Sequence, residues 1–180
     1  MSKPAKKRYT FREYEQLPEG APYQLIGGEL TMTPSPTYEH QKILATLSYL
    51  LLDYVKARGE GQALFAPMDV YLTDTDVYQP DLIYISNERS GIIKEKIHGP
   101  PDLIMEILSP STAHDDLVRK KRTYEEAGVK EYWVVDPKER TVEMYENRGE
   151  GFSLISKAQR TGVVKSSLLN GFVVDLRSLF

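Results

Sequence analysis

The run Leu103–Leu108, LIMEIL, is apolar at every position but one. Pro100, Pro101 and Asp102 precede it, and Ser109 and Pro110 follow. A short, continuous apolar run between turn residues predicts a strand covered on both faces. Glu106 stands in the middle of it. Taking an ionised carboxylate out of water costs several kcal/mol unless it is paired or bound to a metal. The run therefore demands two things of the fold: a sheet buried on both sides, and a partner for Glu106.

The rest of the chain supplies the sheet. Its 180 residues suffice for one domain with a substantial core. Residues 1–9 read as a flexible basic tail and 10–180 as the domain. Hydrophobic residues make up 41% and charged residues 27%, which excludes a disordered chain. There is no cysteine, so disulfides, thiolate metal centres and cysteine nucleophiles are excluded. A reducing, cytoplasmic setting is the expectation. The opening MSKPAKKRYT lacks the apolar segment of a secretory signal. The longest apolar region, Ile43 to Val55, is interrupted by Thr46, Ser48, Tyr49, Asp53 and Tyr54, so no membrane span is expected. The net charge of −3 weighs against broad, non-specific binding to nucleic acid. A bound cation would supply positive charge locally instead.

Thr10 with Glu13 three residues on forms a capping box, which predicts a short helix. YQLIGGELTM reads as a hairpin turning at Gly27-Gly28. Thr37 caps a long amphipathic helix whose apolar positions run from Ile43 to Val55, and Gly59 stops it. ALFAPMDVYL and DLIYIS read as strands separated by a turn around Thr73–Asp76. Residues 87–100 read as a loop with one helical turn. A helix is predicted over 115–127, with Asp115 and Asp116 in its first turn, where the macrodipole favours acids. EYWVVD is a second buried strand, with Trp133 in the core, and TVEMYE is its antiparallel partner. FSLISKA and GFVVDLRSLF complete the chain as strand and a short terminal helix. The pattern is α/β, a mixed central sheet with helices packed on it.

Asp81 offers Glu106 a neighbour. Pro80 gives a rigid, extended entry to the strand DLIYIS and leaves Asp81 at its opening. Two carboxylates on adjacent strands suit a hard divalent cation such as Mg²⁺, and the Ile107 backbone carbonyl adds a further oxygen. The basic run Arg119–Arg122 sits on the following helix, where its solvated half faces phosphate backbones.

Pro80-Asp81 followed by Glu106 on the next core strand resembles the PD-(D/E)XK nuclease superfamily. The superfamily lysine belongs two residues after the acid, where this chain has Leu108. The longer string EILSPST, then Asp116, Lys120, Tyr124 and AGVKEYWVVDP, resembles one branch of it, the Uma-two family of restriction-endonuclease-like proteins. YQLIGGEL and SPTYEHQ extend the resemblance to roughly residues 10–175. It implies a restriction-endonuclease-like core, a mixed central sheet flanked by α-helices. It also implies Mg²⁺- or Mn²⁺-dependent hydrolysis of nucleic acid, DNA before RNA, leaving a 5′-phosphate and a 3′-hydroxyl. In that branch the lysine has moved to the helix after the acid strand, which makes Asp81, Glu106 and Lys120 the expected catalytic set. A lysine side chain reaches roughly 6 Å, enough to return from that helix. Asp116, Lys120 and Tyr124 are spaced by four and share one helix face.

Glu29, or in its place Glu39 or His40 at the start of the long helix, is expected to complete the site. His40, His98 and His114 have no zinc spacing, and Asp74–Asp76 reads as a turn, not a calcium loop. Each candidate also has an ordinary reading. Glu106 and Lys120 make a structural ion pair, Asp116 and Lys120 a surface i,i+4 pair, Asp81 a turn acid, and Tyr124 a packing residue with a polar tip. A binding module on a nuclease fold, or a helper that needs a partner domain, therefore stands beside the nuclease. Nucleases of this fold are often dimers, so a second copy is an expected partner. The contact is sought at an apolar edge near EYWVVD or in the segment Leu168–Phe180.

Overall fold

The computed structural model describes residues 7–109 and 114–180; for 114–117 the backbone alone is described. The helices are α1 (Phe11–Tyr14), α2 (Tyr38–Arg58) and α3 (His114–Ala127). The first strands are β1 (Tyr23–Ile26), β2 (Glu29–Met32), β3 (Gln62–Phe65), β4 (Val70–Thr73), β5 (Asp76–Tyr78), β6 (Leu82–Ile85) and β7 (Ile97–His98). They are followed by β8 (Leu103–Ile107), β9 (Glu131–Asp136), β10 (Thr141–Asn147), β11 (Phe152–Gln159), β12 (Val163–Lys165) and β13 (Val173–Asp175).

The apolar run predicted to be a buried strand forms β8, and all five of its residues are buried. It lies inside a six-stranded sheet of order β11-β10-β9-β8-β6-β3. β8 pairs parallel with β9 and antiparallel with β6, so the sheet is mixed. A parallel pair needs a crossover connection, and α3 provides it. Side chains alternate across the sheet. Leu103, Met105 and Ile107 face a core with α2, Trp133, Phe172 and the C-terminal residues. Ile104 faces the other way, into a core with Tyr78, Tyr124 and Tyr132. This second core is roofed by α3 and by a five-stranded sheet of order β2-β1-β5-β4-β7. Tyr14 of α1 covers the outer face of that sheet at Leu25 and Val77.

The expected helices form where their caps predict. Glu13 accepts from the Thr10 N–H at 3.0 Å. Thr37 Oγ1 accepts from the His40 N–H at 3.2 Å, and Gly59 ends α2 with φ 66°, a conformation that costs glycine least. Two expectations need correction. ALFAPMDVYL is two strands in different sheets, β3 and β4. Pro67 lies between them and has no N–H to continue a ladder. The turn at Thr73–Asp76 leads directly into β5, which the polar residues around it conceal. The segments where a dimer contact was sought are covered in part. β9 lies between β8 and β10, and Leu169, Phe172, Val174, Leu176 and Leu179 are buried. Exposed apolar residues on edge strands include Met32 of β2, Phe65 of β3, Leu154 and Ile155 of β11 and, within the C-terminal segment itself, Val173 of β13.

The C-terminal segment is pinned by a carboxylate. Glu131, wholly buried at the start of β9, accepts from Trp133 Nε1 at 2.7 Å and from Ser166 Oγ at 2.7 Å. It also accepts from Ser167 N at 2.8 Å, Ser167 Oγ at 2.9 Å and Leu168 N at 2.9 Å. Removing it strands buried donors whose desolvation is then uncompensated. Glu131→Ala is expected to lower the unfolding free energy by about 3 to 5 kcal/mol in urea titration. A loss below about 1 kcal/mol would show that water replaces the carboxylate without penalty.

Candidate functional site

β6 and β8 pair with Leu82 across from Met105. The same register, continued outward, sets Asp81 across from Glu106 and Pro80 across from Ile107. Proline cannot donate to the Ile107 carbonyl, and the ladder stops there. The Ile107 N–H turns instead to Asp81 Oδ2 at 2.7 Å. The Pro-Asp pair thus both ends the ladder and ties the Asp81 carboxylate to the end of β8.

His40 approaches Asp81 from the first turn of α2. Its Nε2 lies 3.3 Å from Asp81 Oδ1, with both side chains largely buried. Its Nδ1 is buried and makes no hydrogen bond among the described residues. Burial alone would lower the imidazole pKa. The Asp81 carboxylate, Glu106 and the Ile107 backbone outweigh that, and the net shift is upward from 6.5.

Glu106 is met from α3. Lys120 Nζ lies 3.0 Å from Oε1, and Tyr124 Oη donates to the same oxygen at 2.7 Å. The two residues are one helical turn apart, so both point down at β8. Lys120 also stands 5.8 Å over the ring of Tyr78. That ring packs edge-on against Tyr124 and is fixed by its own hydroxyl, which bonds Asp76 Oδ1 at 2.7 Å and Thr123 Oγ1 at 2.9 Å. Burial pushes the Glu106 carboxyl pKa up, Lys120 opposes this, the nearby Asp81 charge adds to it and Tyr124 opposes it, for a net rise. Tyr124 in turn is held far from ionisation, first by burial and then by Glu106.

A narrow cavity of about 50 Å³ opens beside this cluster. Glu106, Ile107, Leu108 and Lys120 form one side; Gln24, Thr31 and Thr33 of the β1–β2 hairpin, with the apolar Ile26, Met32 and Pro34, form the other. The structure therefore gathers Asp81, Glu106, Ile107, Lys120, His40 and Tyr124. Glu29 starts β2 across from Ile26 and does not line the cavity. The side chain of Asp116 lies outside the described residues. Gln24 was not singled out from the sequence. Its signal is a polar residue at a buried strand position, 8% exposed.

Asp81, Glu106 and the Ile107 carbonyl are all hard oxygen donors, and the two acids burden each other with like charge. That set fits a small divalent cation. Among the described residues, no group of three or more His, Asp or Glu side chains is gathered for a metal. Water or substrate oxygens would complete the coordination.

The mixed α/β architecture, with carboxylates at the mouth of a β6–β8 pair, is that of the restriction-endonuclease-like class. It matches a crystal structure described as "a putative nuclease belonging to DUF820" from Anabaena variabilis with a TM-score of 0.80. That match has 22% identity and covers 95% of this chain and 97% of that one. A family model described as "Putative restriction endonuclease", Uma2, matches residues 11–177, and the chain belongs to that family. No curated protein sequence matches it.

The charge on Asp81 is what raises His40. In metal-free protein the His40 imidazole is expected to titrate above 6.5 by NMR, and Asp81→Asn to shift it down. Because the folded value is raised, this pair stabilises the fold fully below pH 6.5. The stabilisation fades as pH rises through the folded value. A wild-type midpoint at or below 6.5 would contradict the pairing.

Proposed function

We propose that this protein is a metal-dependent nuclease that hydrolyses phosphodiester bonds of nucleic acid, DNA before RNA. The observation that supports this best is the meeting of Asp81 and Glu106 at the end of one strand pair, with Lys120 over Glu106. Asp81, Glu106 and the Ile107 carbonyl would hold Mg²⁺ or Mn²⁺. Such an ion, when bound, lowers the pKa of a coordinated water and offsets charge on the phosphate.

The remaining roles belong to the chain's own residues. The Ile107 N–H and His40 fix the two oxygens of Asp81. Tyr124 fixes the rotamer of Glu106 by holding Oε1 from within the core. Lys120 brings a cation into the cavity, where its ammonium can meet a phosphate oxygen and stabilise the charge that grows there during hydrolysis. The lysine serves from α3 in place of the superfamily position that Leu108 occupies.

A non-catalytic nucleic-acid- or protein-binding module is the second reading. The closed Lys120–Glu106 pair favours it, because such a pair is also a complete structural ion pair. The two readings differ in a plasmid-nicking assay with Mg²⁺ or Mn²⁺. The nuclease reading expects metal-dependent nicking that falls by at least about 100-fold in Asp81→Ala, Glu106→Ala and Lys120→Ala. Lys120→Ala cleaving like wild type would remove the lysine from the mechanism. A folded wild-type protein that neither binds metal nor cleaves would leave the module reading.

A further inference from the structure

We infer that the β1–β2 hairpin is the phosphate-holding wall of the site, with Gln24, Thr31 and Thr33 donating to the non-bridging oxygens of a phosphodiester. The inference rests on the nuclease reading above and assigns the substrate a seat.

Gln24 and Thr31 are register partners across the hairpin, and Thr33 follows two residues on. All three line the cavity that Glu106 and Lys120 line from the other side. The hairpin's opposite face is built for packing: Leu25 is fully buried, and Leu30 packs beside it. The cavity face, which alternates with it, carries an amide and two hydroxyls beside Ile26.

These groups hold donors in surplus. Gln24 Oε1 accepts from the Gln79 N–H at 3.0 Å, which fixes the orientation of the amide. Its Nε2 donates one hydrogen to Thr33 Oγ1 at 3.3 Å and carries a second. Thr33, having accepted, still has its own hydroxyl proton to give. A phosphodiester offers only acceptors to such a wall.

Neutrality is the useful property here. An arginine or lysine on the hairpin would compete with Lys120 for the Glu106 carboxylate, which lines the same cavity. Hydroxyl and amide donors bind an anion without competing for the acids. Contacts made there position the strand and carry no base sequence.

The test is steady-state cleavage of short oligonucleotides of several sequences by Thr33→Val, Thr31→Val and the Thr33→Ser control, with Mn²⁺ affinity measured by calorimetry on each. Thr33 is half-buried, and valine matches its shape, so the fold should hold. KM is expected to rise about tenfold in Thr33→Val, equally for every sequence, with kcat and Mn²⁺ affinity little changed. Thr33→Ser should return KM to the wild-type value. Unchanged KM in both valine variants, in protein that still cleaves, would overturn the inference and leave the nuclease standing. A wild-type protein that binds Mn²⁺ but cleaves nothing would overturn both.

Discussion

A carboxylate inside a sheet must be met by donors, and the site is built around meeting that demand for Glu106. The β8 strand is buried on both faces, so the donors have to come from the layer above. The parallel pairing of β8 with β9 requires a crossover, and that crossover is α3. The helix therefore crosses the face of the sheet on which Glu106 stands. Lys120 and Tyr124, one turn apart on α3, both reach Oε1. One topological necessity thus supplies the cation and the hydroxyl together. It also accounts for Leu108. A lysine there would stand on the same face as Glu106 in the strand; from α3, an ammonium reaches the same carboxylate from above.

Other buried acids mark the contrast. Glu131 is surrounded by fixed donors and tethers the C-terminal segment. Asp76 takes the Gly27 N–H and three hydroxyls, and so binds the five-stranded sheet's turns together. Asp102 takes the Ser86 N–H and an ion pair with Lys130. Each is closed off within the protein. Glu106 differs because both of its donors fall on one oxygen and its side chain borders a cavity. That difference is what singles Glu106 out as the candidate for chemistry.

Much of the candidate site's placement was legible in the sequence, for definite reasons. An acid in an apolar run announces itself, and Pro-Asp before a strand marks both a ladder end and a carboxylate. Helical spacing put Lys120 and Tyr124 on one face. The long helices and the EYWVVD–TVEMYE pair were legible because caps and alternation are local signals. The hairpin wall was not, because Gln24 and the threonines gain their meaning from what lies across the cavity. Nor was β5, three residues long and bounded by polar turn residues, whose strand state is set by its pairing with β1 and β4. The division of ALFAPMDVYL between two sheets depends likewise on partners distant in the chain.

The measurement that bears most directly on this account is a crystal of the protein soaked in Mn²⁺, with the anomalous signal recorded. A peak is expected between Asp81 and Glu106, within bonding reach of both carboxylates, with Lys120 displaced from Oε1. A soaked crystal with no peak there, and Lys120 still seated on Glu106, would contradict it and leave the pair as a structural one.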